Sequence, residues 1–182
     1  MKTVYGVGIT DKGVYNSYRD LKAYKLWKSI IQRCYSEKSL VKFPTYRGCK
    51  VCDEWLYFQN FAKWFYENYI EGYTIDKDIL GDGKIYSPET CCFVPNHINN
   101  ILQRNIHKNS GLSTGVKIQD GRFRAVFTTK GRKKFHVGYF DTEREAASAY
   151  IKAKTKYIKE MAEEYNLPKM VRRSLIRKFL AA

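Results

Sequence analysis

Acidic residues are scarce in this chain, with 18 Asp and Glu against 33 Lys and Arg, which leaves a formal charge of +15 over 182 residues. That deficit points to a polyanionic partner, because clustered Lys and Arg release the counterions condensed on phosphate. Long apolar runs are missing too. No stretch reaches the roughly 18 apolar residues that a membrane-spanning helix needs, and Met1-Lys2-Thr3-Val4-Tyr5 lacks an apolar signal core. The expectation is an intracellular protein with no membrane partner. Cysteine is limited to five, an odd number, which argues against a disulfide framework and for reduced thiols. Internal repeats and low-complexity blocks are absent. What remains is 44% hydrophobic and 15% aromatic, enough for one ordinary core or two small ones.

The basic excess is uneven. Residues 106–182 hold 18 Lys and Arg against 7 Asp and Glu, whereas residues 1–105 hold 15 against 11. Within the basic half, three strand-like runs, 115–119, 122–128 and 134–140, are separated by the turn signals Asp120-Gly121 and Lys130-Gly131. Alternation sends Phe123, Ala125, Phe127, Phe135 and Val137 to one face and Arg124, Thr128, Lys134 and His136 to the other. A helix then starts at Asp141-Thr142, with Glu145 at the capping-box spacing. Its apolar stripe is Ala146, Tyr150, Ala153, Tyr157 and Met161, and Leu167-Pro168 ends it. The predicted fold is therefore α+β, its basic half a three-stranded antiparallel sheet packed on one helix.

Three elements here resemble the ethylene-response-factor type of DNA-binding domain: Gly115-Val116, Arg122-Phe123-Arg124-Ala125, and Val137-Gly138-Tyr139-Phe140-Asp141-Thr142 leading to Glu145-Ala146-Ala147. In that family the sheet enters the major groove of duplex DNA. The resemblance implies that Lys117, Gln119, Arg122, Arg124, Val126, Thr128, Lys134 and His136, with the loop residues Lys130, Arg132 and Lys133, meet DNA. Plant members usually carry Glu and Trp where Val126 and His136 stand, so their base preference does not transfer.

The first half reads as helical and aromatic, then as short strands. Leu26, Trp27, Ile30, Ile31 and Cys34 share a helical face in 24–35; Trp55, Phe58, Phe61, Ala62 and Phe65 do so in a helix from Asp53 to about Tyr69. Core packing is the expected role of both stripes, ahead of stacking on unpaired bases. Pro44 to Gly48 reads as a turn. A strand over 72–80, turns at Gly81-Asp82-Gly83 and Ser87-Pro88, a strand over 91–94 and a helix to about Arg104 make a ββα order. Asp76 and Asp78 flank Lys77, and Asn96, His97, Asn99 and Asn100 follow on the helix. Such hard oxygen donors suit Mg²⁺ or another divalent cation able to stabilise charge on a phosphate. The plainer reading of the two aspartates is a surface pair bonding backbone N–H groups or Lys84. Cys49-x-x-Cys52 with Cys91 and Cys92 is a poor structural zinc set, since adjacent strand residues point to opposite faces and His97 or His107 would have to complete it.

This half resembles the HNH, or ββα-metal, nucleases, especially phage and intron homing endonucleases. The markers are Arg33-Cys34-Tyr35, Cys52-Asp53-Glu54-Trp55, Thr74-Ile75-Asp76-Lys77-Asp78 and Tyr86-Ser87-Pro88-Glu89-Thr90-Cys91. In that family an Asp at the position of Asp76 holds the metal, the next residue is a His that activates water, and an Asn stands where Thr90 is. The resemblance implies a metal site at Asp76, Asp78 and Thr90, with Asp76, Asp78, His97 or a Lys77 of lowered pKa in the catalytic roles. It also implies residence in the cytoplasm of an infected bacterial host.

The expected organisation is an HNH-like nuclease over 1–105, a linker over 106–114, the DNA-reading sheet and helix over 115–165, and an amphipathic basic helix over 166–182 that braces the fold or touches phosphate. The expected activity is metal-dependent hydrolysis of double-stranded DNA by a monomer. The alternative is a catalytically silent DNA-binding protein, a repressor or nuclease competitor, on the same scaffold; Lys77 and Thr90 favour it.

Overall fold

Aromatic residues at helical spacing build the first of two compact units, Met1–Val94 and Pro95–Ala182, into which the chain divides in a computed structural model that describes residues 3–102 and 111–181. The first unit opens with a small antiparallel hairpin, β1 (Thr3–Val4) and β2 (Gly8–Ile9). Helix α1 (Leu21–Tyr35) buries Trp27, Ile30, Ile31 and Cys34, the face its spacing predicts. A further helix, α2 (Glu37–Lys42), buries no side chain, which is why no apolar period announces it. The segment Pro44–Tyr46 is a 3-10 turn, and β3 (Lys50–Val51) follows.

The helix expected from Asp53 to Tyr69 is broken. A 3-10 turn over Asp53–Leu56 gives way to α3 (Phe58–Asn68) through Tyr57, whose extended backbone bridges to Ile9. Trp55, Phe58, Phe61 and Phe65 are nonetheless all in the core, as expected, and the Trp27 indole N–H donates to the Trp55 carbonyl at 2.7 Å. Three short strands complete the unit: β4 (Tyr73–Asp76), β5 (Ile85–Tyr86), parallel to β3, and β6 (Cys92–Pro95), paired with β4. The strand expected over 72–80 stops at Asp76, where a side-chain turn takes over.

The second unit begins with α4 (Asn96–Asn99) and a 3-10 turn over Asn100–Leu102. The division falls at Val94 and Pro95, ahead of the boundary expected after residue 105, and Ile98 and Ile101, which follow it, are buried. Residues 103–110, which include the expected end of that helix, His107 and much of the expected linker, lie outside the described residues.

Strands β7 (Val116–Gln119), β8 (Arg122–Thr128) and β9 (Lys134–Phe140) form the antiparallel sheet in that order. Asp120 and Gly121 both have positive φ, the two-residue turn whose twist matches the strands it joins. Gly115 has φ +80°, and a Cβ there would overlap the Tyr150 ring, so no other residue fits. Helix α5 (Glu143–Glu164) covers the sheet, and its predicted capping box is present: Thr142 Oγ1 accepts from Glu145 N–H, and Glu145 Oε2 from Thr142 N–H, both at 3.2 Å. Its buried ridge is Ala146, Tyr150, Lys154, Ile158 and Ala162, one residue round from the predicted stripe at its C-terminal end. Helix α6 (Lys169–Ala181) packs on α5 and buries Val171, Ser174 and Leu175. Among the described residues no helix is long and apolar enough to cross a membrane.

Candidate functional site

Two regions carry the predicted residues, one in each unit. In the second unit, register decides which side chains share a face. Strand β7 pairs Gln119 with Arg122 and Lys117 with Arg124, and β9 sets Tyr139 opposite Arg124, His136 opposite Val126 and Lys134 opposite Thr128. These nine side chains form the face turned away from α5, and none is acidic. Arg124 Nη1 donates to Gln119 Oε1 at 2.7 Å, Lys134 Nζ donates to Thr128 Oγ1 at 2.8 Å, and the Arg124 guanidinium lies 6.0 Å from the Tyr139 ring centre. His136 packs on the same ring at 4.8 Å between centroids.

Tyr139 is the residue that strict alternation misses. The register jumps between Ala125↔Gly138 and Val126↔His136, so Val137 is an extra residue in β9. Beyond that bulge the parity inverts: Tyr139 joins the basic face, and Phe140 turns to the core with Phe123 and Val137. Gly138 inside a strand run was the sequence sign of a bulge.

The remaining expected contacts divide. Arg132 and Lys133 are exposed in the β8–β9 loop. Arg122 binds Asp141 Oδ1 at 2.9 Å at the end of the sheet. Lys130 is turned elsewhere: its Nζ pairs with Glu164 of α5 at 2.7 Å, and its N–H donates to the Tyr157 hydroxyl.

The carboxylate cluster sits where β4 ends. Asp76 is 5% exposed, and its Oδ1 accepts from the N–H groups of Asp78 at 2.8 Å and Ile79 at 2.7 Å, closing a turn. Burial pushes its carboxyl above the usual carboxylate range. Lys77, 7% exposed, places Nζ 2.8 Å from Asp78 Oδ1 and within 5.6 Å and 5.7 Å of the Tyr46 and Tyr86 ring centres. Burial works to lower the Lys77 pKa, but the Asp78 carboxylate outweighs it and the net direction is upward. That is opposite to what a general base requires, so Lys77 stands as a held ammonium. Thr90 Oγ1 donates to the Ile85 carbonyl at 2.7 Å and accepts from Ser87 N–H at 3.1 Å, knitting its own loop.

Several donors of this cluster already have partners. One Asp76 oxygen is held by two N–H groups, an ammonium already neutralises Asp78, and the Thr90 hydroxyl proton is given to a carbonyl. The bonds are those of the plainer reading, with Lys77 as the partner instead of Lys84, but Asp76 is buried where that reading expected a surface pair. His97 belongs to the second unit, where its Nε2 lies 2.6 Å from the Tyr157 hydroxyl. Its pKa is lowered by burial and then by the charges of Lys154 and Lys130. All five cysteines are free thiols; Cys34, Cys49 and Cys91 are buried, and burial pushes the Cys34 and Cys91 thiols up to about 12.

The chain matches no protein-family model, no curated protein and no solved structure.

Proposed function

We propose that this protein binds duplex DNA through the exposed face of the β7–β8–β9 sheet. One observation carries the reading: Lys117, Arg122, Arg124, Lys134 and His136 lie in register on a single face without an acidic side chain among them. Three strands spaced about 4.8 Å apart make a ribbon that a major groove of about 12 Å admits. Phosphate neutralisation supplies affinity, while Arg124, Gln119 and Tyr139 near the middle of the face supply groups able to distinguish base edges. The resemblance to ethylene-response-factor type domains supports the same docking.

The test is titration of the protein against a randomised duplex pool followed by the selected sequence. Arg124→Ala is expected to cost about 1–3 kcal/mol on the selected duplex and to relax its base preference. Affinity is expected to fall steeply with salt, since each phosphate contact contributes about 0.9 to the slope of log K against log salt. Binding indifferent to both sinks the reading.

Phosphodiester cleavage is the second reading, favoured by the nearly complete burial of the Asp76 carboxylate beside a buried ammonium, a combination common at reactive sites. Nicking of the selected duplex with Mg²⁺ or Mn²⁺, lost in Asp76→Asn, would establish it. Equal inertness of wild type and variant leaves binding as the whole activity.

A further inference from the structure

The pairing of β7 with β8 stops at Val116↔Ala125, with one more bond from Val126 N–H to the Gly115 carbonyl at 2.9 Å. Where it stops, a cavity of about 580 Å³ opens beside β8, between the sheet, α5 and the end of α6. Its size falls within the range of small-molecule sites. Four cations line it, Lys117, Arg124, Lys134 and Lys154, and no Asp or Glu does. Phe127 and Tyr150 supply aromatic wall.

Lys154 is the unexpected member. It is 6% exposed, makes no ion pair among the described residues, and lies 4.9 Å and 5.3 Å from the ring centres of Phe127 and Tyr157. Burial alone brings its pKa down to about 8. A lone ammonium in that position costs stability that an apolar residue would not, so an anion entering the cavity would meet a cation with little competing solvent. Arg124 adds a second unmet donor, since its Nε is buried without a hydrogen-bond partner.

We propose that this cavity binds a nucleoside phosphate, its phosphate drawn to Lys154, its base against Phe127 and Tyr150, with Lys117 and Lys134 at the rim on the sheet side adding to the attraction for an anion. The aromatic wall separates this ligand from a bare anion, and the cations separate it from an uncharged base. The source is either a free nucleotide or an unpaired nucleotide of a strand. The cavity shares Lys117, Arg124 and Lys134 with the sheet face, but Lys154 belongs to the cavity alone, so the inference stands or falls apart from duplex binding.

The experiment uses the full chain with 2′-deoxyadenosine 5′-monophosphate, deoxyadenosine, inorganic phosphate and a short 5′-phosphorylated single strand, each followed by calorimetry and by amide chemical shifts. Binding of the monophosphate, with deoxyadenosine and inorganic phosphate each at least about tenfold weaker, is expected. Shifts are expected at Gly115, Phe127 and Lys154. Lys154→Met should lower the affinity at least about tenfold while leaving duplex affinity within about twofold. Binding of the single strand alone, sensitive to Lys154→Met, assigns the site to a strand nucleotide. Failure of both the monophosphate and the single strand to bind at millimolar concentration overturns the proposal. So does binding that Lys154→Met leaves intact, or shifts confined to the outer face. The wild-type shift map decides the matter should the variant fail to fold.

Discussion

Asp76 closes a turn with one carboxylate oxygen, and any test of its chemistry has to respect that. Asp76→Ala strands the N–H groups of Asp78 and Ile79, Ile79 in the core, and should cost about 1–3 kcal/mol by urea denaturation. Asp76→Asn keeps an acceptor at the same position and should cost clearly less. Equal loss in both variants would mean that the charge, not the turn, is what the fold uses. Sequence shows the aspartate and its neighbours but not this division of labour. The Asp-Lys-Asp string is compatible with a metal site, a salt bridge or an Asx-type turn, and only the positions of two N–H groups and one ammonium separate them. Lys154 is the opposite case: among the lysines of a basic helix nothing in its type sets it apart, and the sheet beneath decides that it is buried.

At the scale of elements, the strands β7, β8 and β9 and helix α5 were legible because each has its own local signal. Two-residue alternation, the Asp120-Gly121 turn and the Thr142–Glu145 capping box are properties of neighbouring residues. The bulge at Val137 had only the hint of Gly138, because an extra residue is defined only against a partner strand. The break at Tyr57 was not legible; it exists because Ile9, far away in sequence, pairs there. Gly115 joins local and tertiary constraint, with positive φ and no room for a Cβ beside Tyr150. Gly115→Ala is expected to destabilise the second unit by about 2 kcal/mol or more, from left-handed strain added to the overlap. A melt that lowers the stability of this unit by under half that amount would show that the β7 lead-in relaxes.

Over the whole molecule, the charge split separates a nearly balanced first unit from a strongly basic second one. That much follows from counting, because net charge is additive along a chain and indifferent to fold. What counting does not give is a surface: of the predicted contacts, Lys130 is paired with Glu164 of α5, while Tyr139 enters the face unpredicted. The same limit applies to the first unit, where Asp76 Oδ1, Asp78 Oδ1 and the Thr90 hydroxyl take part in turns and a salt bridge that the string of residues does not reveal. Composition, period and caps are local or additive quantities, and by themselves they determined the two aromatic stripes, the basic sheet and the covering helix. Register across strands, the burial of Lys77 and Lys154, and the partners of Asp76 and Thr90 depend on contacts between residues distant along the chain. Those only the tertiary structure decided.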